Sequence, residues 1–361
     1  MTCEAPLARV FAARPWLSVA EHSWYKTAMR YRLLPAILTA LVLITSLSDA
    51  QPQGRMPRVG VLWAGPLSFA QQYVTAGIEA MRGLGWIEGQ NFAIEYRFAP
   101  PAAKTQTERR AALVANAEDL ARLKVDAIVA IADPAVEAAR NATSTIPIVM
   151  VAVGDAVGAG FIASMARPGG NITGIGALSV DLSGKRLEIL KQIVPRANRV
   201  AVLWNPANPA GILGFRETES AARRLGITLQ SLPVRRQEEI PPAFSAMVQD
   251  RAEGFVLVTD PLTWTSRPEI VQLAAKNRLP AVYELREYVD TGGLASYGPS
   301  LIDLSRRSAV YVDKILKGTK PSDLPVEQPT QLELVLSVKA AHALALVIPQ
   351  AVSIRADHVI Q

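Results

Sequence analysis

One short unit occurs twice along the chain. Arg58-Val59-Gly60-Val61-Leu62-Trp63 matches Arg199-Val200-Ala201-Val202-Leu203-Trp204, and the same offset aligns Arg82, Leu84 and Gly85 with Arg223, Leu225 and Gly226. Asp133-Pro134 is answered by Asp260-Pro261, and Ala138-Ala139-Arg140-Asn141 by Ala274-Ala275-Lys276-Asn277. The offset changes between matches, so loops and helices differ in length while the order is kept. Matches in one order predict two lobes of similar build. At 361 residues the chain is long enough for each lobe to bury its own core.

Within each copy, short β-rich runs alternate with helical stretches of about 12 to 18 residues, the pattern of parallel sheets covered by helices. The strands are expected at 58–63, 92–98, 126–131 and 146–153, then at 199–204, 227–232, 254–259 and 280–283. Most are unbroken Val/Ile/Leu runs, which suits strands buried on both faces. Arg167-Pro168-Gly169-Gly170-Asn171 is turn chemistry that suits a chain leaving one lobe for the other. A helix is expected at 301–316, followed by a Pro-punctuated stretch at 320–329. Neither lobe is complete without a further strand or helix. The chain is therefore expected to return to lobe one near Ser296 and to cross back near Val326, giving three crossings. Lobe one is then 57–177 plus 296–325, and lobe two 178–295 plus 326–361.

Residues 1–50 are set apart from these lobes. The longest apolar run, 33–47, follows Arg30 and Arg32 and precedes Ser48, Asp49 and Ala50, the layout of a secretory signal cleaved near Ala50. A membrane span needs about 20 apolar residues, and Pro35 interrupts this run. Met29 stands just before the basic residues, so residues 1–28 read as an upstream extension. The leader carries five Lys or Arg against three Asp or Glu, and its removal takes the net charge from +6 to +4. The remaining charges are scattered without a basic block, which excludes a nucleic-acid footprint. A periplasmic, monomeric protein is expected.

Catalytic chemistry finds little to work with. The single cysteine, Cys3, is in the leader, and the histidines are His22, His342 and His358. No metal-ligand spacing, nucleophile elbow or phosphate-binding loop is present. The glycines of 154–160 are wrongly spaced for a dinucleotide fingerprint. A two-lobed racemase would need a cysteine from each lobe. We expect no catalytic residue, no metal and no cofactor.

Ligands of open parallel sheets bind beyond the carboxyl ends of the strands. Those ends carry Trp63-Ala64-Gly65-Pro66, Asp133-Pro134, Gly154-Asp155, Asn205-Pro206 and Asp260-Pro261. Asp-Pro and Asn-Pro also read as helix caps followed by a first turn, and capping alone explains each residue as well as ligand contact does. As a set, helix N-termini offer N–H groups to a carboxylate, and Asp133, Asp155 and Asp260 balance an ammonium. Trp63, Trp204, Trp264, Tyr283 and Tyr297 lie at or beyond strand ends, as aromatic walls of a small-ligand cleft or as core residues. The candidate contacts are Trp63, Ala64, Asp133, Pro134, Gly154 and Asp155 from lobe one, Asn205, Asp260 and Tyr283 from lobe two, and Tyr297 on the returning segment. Trp63 and Trp204 are expected to line one groove, and the expected ligand is an amino acid or related zwitterion.

Several segments also carry a family likeness. They are Val59 to Trp63, the Gly154–Gly160 run, Ala166-Arg167-Pro168-Gly169-Gly170-Asn171-Ile172-Thr173-Gly174 and Leu182-Ser183-Gly184-Lys185-Arg186. Further on come Gly292-Gly293-Leu294-Ala295-Ser296-Tyr297-Gly298, Tyr311 to Gly318 and Asp323 to Pro329. Together they resemble the ABC transporter substrate-binding family that includes tryptophan- and tyrosine-type binding proteins. One departure is Ala156, where members carry proline after the Gly-Asp pair. The resemblance implies a type I periplasmic-binding fold, with two Rossmann-like lobes, three crossovers and closure around the solute. It also implies an ABC permease as partner. A sensory protein that presents its closed form to a receptor would share these lobes, and a ligand-responsive repressor would add a DNA-binding head.

Overall fold

The computed structural model describes residues 55–361 apart from 101, 102 and 104, so the leader and its cleavage point lie outside the described residues. Two sheets carry the chain. The first holds β1 (Arg58–Trp63), β2 (Ala93–Phe98), β3 (Ala127–Ile131), β4 (Ile148–Val153) and β5 (Ile172–Gly176), in the order β2-β1-β3-β4-β5 and parallel throughout. Its connecting helices are α1 (Leu67–Gly83), α2 (Gln106–Arg122) and α3 (Asp133–Ala142).

The second sheet repeats this order. β6 (Arg199–Trp204), β7 (Thr228–Pro233), β8 (Phe255–Leu257), β9 (Ala281–Tyr283) and β10 (Ala295–Pro299) run β7-β6-β8-β9-β10, again parallel. β11 (Leu332–Ser337) then adds antiparallel to β10, and β12 (His358–Ile360) parallel to β11. The helices here are α4 (Ser183–Ile193), α5 (Pro209–Leu225), α6 (Ile240–Gln249), α7 (Pro261–Thr265), α8 (Arg267–Lys276), α9 (Arg286–Asp290), α10 (Leu301–Leu316), α11 (Val338–Ala343) and α12 (Gln350–Ser353). The duplicated hexapeptide is thus the second-position strand of both sheets, and its partners fall in the same order around it.

Burial explains the strand composition. β1 is buried from Val59 to Trp63, and β6 from Val200 to Leu203, because helices cover both faces. Leu62, Ile128 and Met150 pack with α2 and α3 on one face of the first sheet. On the other face, Val59, Val149 and Ile175 meet Leu304, Ala309 and Val312 of α10. Each buried aliphatic side chain is worth about 1.5–3 kcal/mol.

The crossings expected near Ser296 and Val326 both shift, and the turn at 167–171 is not itself a crossing. The turn at 167–171 leads into β5, so the chain stays in the first sheet until Ala177. Ser296 lies inside β10, paired to β9 and β11, so the return to the first sheet begins at Ser300 instead. α10 then packs on α1 and on β3, β4 and β5. Val326 still belongs there: its N–H donates to Met165, and Glu327 pairs with Ile175. The chain re-enters the second sheet only with β11. The physical cause is that Ala295–Pro299 completes the fifth parallel position of its own sheet, a strand the apolar-run criterion missed because Ser, Gly and Pro interrupt it.

Candidate functional site

A cavity of about 90 Å³ lies where carboxyl ends of strands from both sheets meet. The first sheet contributes Trp63 from β1, Ile131, Ala132 and Asp133 beyond β3, and Val151, Ala152 and Gly154 around the end of β4. The second contributes Asn208 and Ala210 at the start of α5, Thr259 to Pro261 beyond β8, Trp264, and Glu284 and Leu285 beyond β9. Tyr73 of α1, Ser179, Leu301 and Ser305 complete the wall.

Three aromatic rings from both sides form the apolar part. Trp63 lies so close over Gly65 that a Cβ there would fall 2.6 Å from the indole ring, so this strand end tolerates only glycine without moving Trp63. Tyr73 and Trp264 have ring centroids 6.3 Å apart, and Trp264 packs edge-on to Tyr288 at 5.8 Å. The Arg267 guanidinium sits 4.3 Å over the Trp264 ring, at cation–π distance, and 5.4 Å from the ring of Phe69 on α1. Trp63, Ala70 and Tyr73 therefore share one apolar cluster with the core of the second sheet.

The polar part is anionic. Asp133 is 7% exposed; its Oδ2 accepts the Gly154 N–H at 3.2 Å, while its Oδ1 is buried without a partner. Burial pushes its carboxyl up to about 6, and the charges of Glu284 and Asp155 add to the rise. Asp260 caps α7: Oδ1 accepts from Leu262 and Thr263 N–H, and Oδ2 accepts from Asn205 Nδ2 at 2.7 Å. Burial raises its pKa too, against these hydrogen bonds and the charge of Arg109. Glu284 accepts from the Ser179 hydroxyl, and Arg186 Nη2 stands 3.7 Å from its other oxygen. Arg186 is itself 1% exposed and held by the carbonyls of Tyr297 and Ser179 at 2.9 and 3.0 Å.

Two wall residues hold an unusual backbone. Ala132 has φ 66° and ψ 161°, and Ala152 has φ 58°. Non-glycine residues in such conformations cost of order 1–3 kcal/mol each and persist where surroundings fix them. Ala132 is fixed by its N–H to Val151, and Ala152 sits at the irregularity in the β4–β5 register.

Of the candidate contacts, Trp63, Asp133, Gly154 and Asp260 line the cavity, and the others do not. Ala64 turns into the core between the first sheet and its helices. Pro134 begins the helix behind Asp133, and Asp155 is spent on the Gly158 N–H at 2.8 Å. Asn205 is wholly buried; it holds Asp260 and the Ala207 N–H, and the cap of α5 is Asn208. Tyr283 stacks on Tyr288 at 4.6 Å in the core, and Tyr297 lies in β10, reaching the site only through the Arg186 that its carbonyl holds. Trp204 shares no groove with Trp63: it stacks on Phe215 at 4.5 Å and donates to Ser231. Trp264 takes that place. Sequence reasoning missed Tyr73, Glu284, Asn208, Arg109 and Arg186. Glu284 was within reach of the strand-end rule, because it follows Tyr283 and alternate residues face opposite sides.

Comparison with known proteins identifies the fold and the family. The chain is 28% identical over 268 residues, 74% of each sequence, to a tyrosine-binding protein of Clostridioides difficile. It is similar to the structure of an ABC domain in complex with L-Trp from Streptococcus pneumonia (TM-score 0.76, 22% identity, covering 85% of this chain and 100% of that one). It is also similar to a ligand-free, open substrate-binding protein with adhesive properties from Clostridium difficile (TM-score 0.62, 25% identity, covering 84% and 99%). The two Rossmann-like sheets are those of the type I periplasmic-binding fold. Residues 71–360 match the model of the ABC transporter substrate binding protein family, to which this chain belongs.

Proposed function

We propose that this chain is the extracytoplasmic solute-binding component of an ABC importer, exported by its leader, that closes two lobes as a monomer around a small amino-bearing solute. The class is an amino acid or a close relative with an apolar body. The observation that carries this is Asp133 Oδ1, a buried oxygen without a partner in the wall of a cavity whose aromatic side is Trp63, Tyr73 and Trp264. An ammonium satisfies that oxygen, and the rings cover the body. The tyrosine- and tryptophan-binding relatives support the same class.

The lobes are the two sheets with their helices, hinged at the three connections after Ala177, at Ser300 and before Leu332. Contacts between Tyr73 and Glu287 and between Phe69 and Arg267, together with the greater likeness to the L-Trp complex than to the open relative, support a closed conformation. Closure presents the loaded form to a permease. The reading is binding, as for the solute-binding relatives. A thermal-shift screen of amino acids, amines, aromatic acids and sugars tests it: an amino-bearing hit raises the melting temperature of the wild type and not of Asp133→Asn. A hit confined to sugars, or an undiminished shift in Asp133→Asn, refutes the assignment.

A further inference from the structure

Three carboxylates line the cavity, and one of them, Glu284, has an arginine within ion-pair distance. Arg109, 8% exposed on α2, acts on Asp260, and Arg186 lies against Glu284. Asp133 Oδ1 has no hydrogen-bond partner, and its Oδ2 holds the Gly154 N–H. No Lys or Arg is among the lining residues. The wall therefore presents a buried carboxylate that no lining cation compensates.

The starts of α3, α5 and α7 lack donors for a second anion, contrary to the expectation from the sequence. Pro134, Pro209 and Pro261 stand in the first turns of α3, α5 and α7 and have no N–H. The N–H groups that follow are taken: Ala135 donates to Ala132, Ala210 to Asn208 Oδ1, and Leu262 and Thr263 to Asp260 Oδ1. The Gly154 N–H is held by Asp133 itself. What remains in the wall, Asn208, Thr259 and Ser305, is neutral and suits a hydroxyl or ring nitrogen.

We propose that the solute is a monocation, a primary amine with an apolar or aromatic body and no free carboxylate. This rests on the reading that Asp133 receives an ammonium. A monocation offsets the Asp133 carboxylate. A zwitterion adds its carboxylate to a site that already holds three, and burying that charge without a cation is costly.

Matched trios test it by titration calorimetry on the purified protein: tryptamine, tryptophan and 3-indolepropionate; tyramine, tyrosine and 3-(4-hydroxyphenyl)propionate; isopentylamine, leucine and 4-methylpentanoate. The expected result is that the amine of at least one trio binds about tenfold or more tighter than its amino acid, with no binding of the acid. Asp133→Asn, checked for folding by circular dichroism, loses that preference. An amino acid binding tighter than its amine overturns the monocation while leaving the amino-solute reading intact. If no amine and no amino acid binds, both fall.

Discussion

Tyr73 of α1 donates its phenolic hydrogen to the buried carboxylate of Glu287 on α9 at 2.6 Å, tying a helix of the first sheet to one of the second. Burial raises the pKa of both groups, so each relies on the other for its hydrogen bond. In the open form that the proposed closure requires, water would take over both, and the bond then counts only toward closure. Glu287 does not line the cavity. Glu287→Ala is therefore expected to weaken solute binding by roughly 1–2 kcal/mol without touching the solute, and Glu287→Gln, which keeps an acceptor, by less. Small-angle scattering of the unliganded variants should show Glu287→Ala more expanded than wild type. An unchanged scattering curve and affinity would remove the latch.

Asp133 makes two opposite predictions. Burial holds its folded pKa at about 6, above the ordinary aspartate value of 3.8, so its protonation favours the fold. That contribution is fully present below pH about 4 and is lost as pH rises through 6, leaving a cost of at most about 3 kcal/mol at pH 7. Asp133→Asn should accordingly raise the unliganded melting temperature at pH 7 and change it little at pH 4. Solute affinity runs the other way, because an ammonium needs the carboxylate. It should fall as pH drops through about 6, by roughly tenfold per unit below that. Calorimetry from pH 8 to 5 checks the second prediction, and melting of both proteins at the two pH values checks the first.

The backbone of Ala132 predicts an inverted effect of glycine. With φ 66° and ψ 161°, the residue occupies a region that is essentially glycine's own. Relief of strain of about 1–3 kcal/mol exceeds the entropy that glycine adds to the unfolded chain, about 0.5–1 kcal/mol, so Ala132→Gly should stabilise. Ala139→Gly, inside α3, should destabilise by about 1 kcal/mol. Urea melts of the two variants decide it: equal losses would mean that Ala132 is not strained.

Why some of this was legible in the sequence follows from the same residues. The strands around 58–63 and 199–204 are unbroken apolar runs, and a run buried on both faces leaves no other reading. β5 and β10 are absent from the expected strands, because ITGIG and ASYGP spend their small residues on close approaches: a Cβ on Gly174 would lie 2.2 Å from the Met150 carbonyl. Around the cavity, the strand-end rule names segments that reach the wall and misses by one to three residues along some of them. Tyr283 points to the core and Glu284 to the cavity, and Asn205 folds beneath Asp260 while Asn208 reaches the wall. Facing direction depends on register and loop geometry that composition does not encode. Tyr73, Arg109 and Arg186 come from helix interiors, where nothing local separates a residue of the site from one of the core.

The pairing of Arg186 with Glu284 carries the last prediction. Both side chains are all but buried, at 1% and 6% exposure, and their closest approach of 3.7 Å is an ion pair without a direct hydrogen bond. Burial lowers the Arg186 pKa, and the Glu284 charge opposes that. Such a pair adds little net stability against an apolar replacement, yet losing one member strands the other as a buried charge. Arg186→Met and Glu284→Leu should each destabilise by about 3–5 kcal/mol, while the double variant recovers most of the loss. Arg186→Met should also bind an amine more tightly than wild type if folded, since it leaves a second uncompensated carboxylate in the wall, and Glu284→Leu more weakly. Additive losses in the double variant would mean that the two side chains act separately, Arg186 then serving mainly to hold the Tyr297 and Ser179 carbonyls.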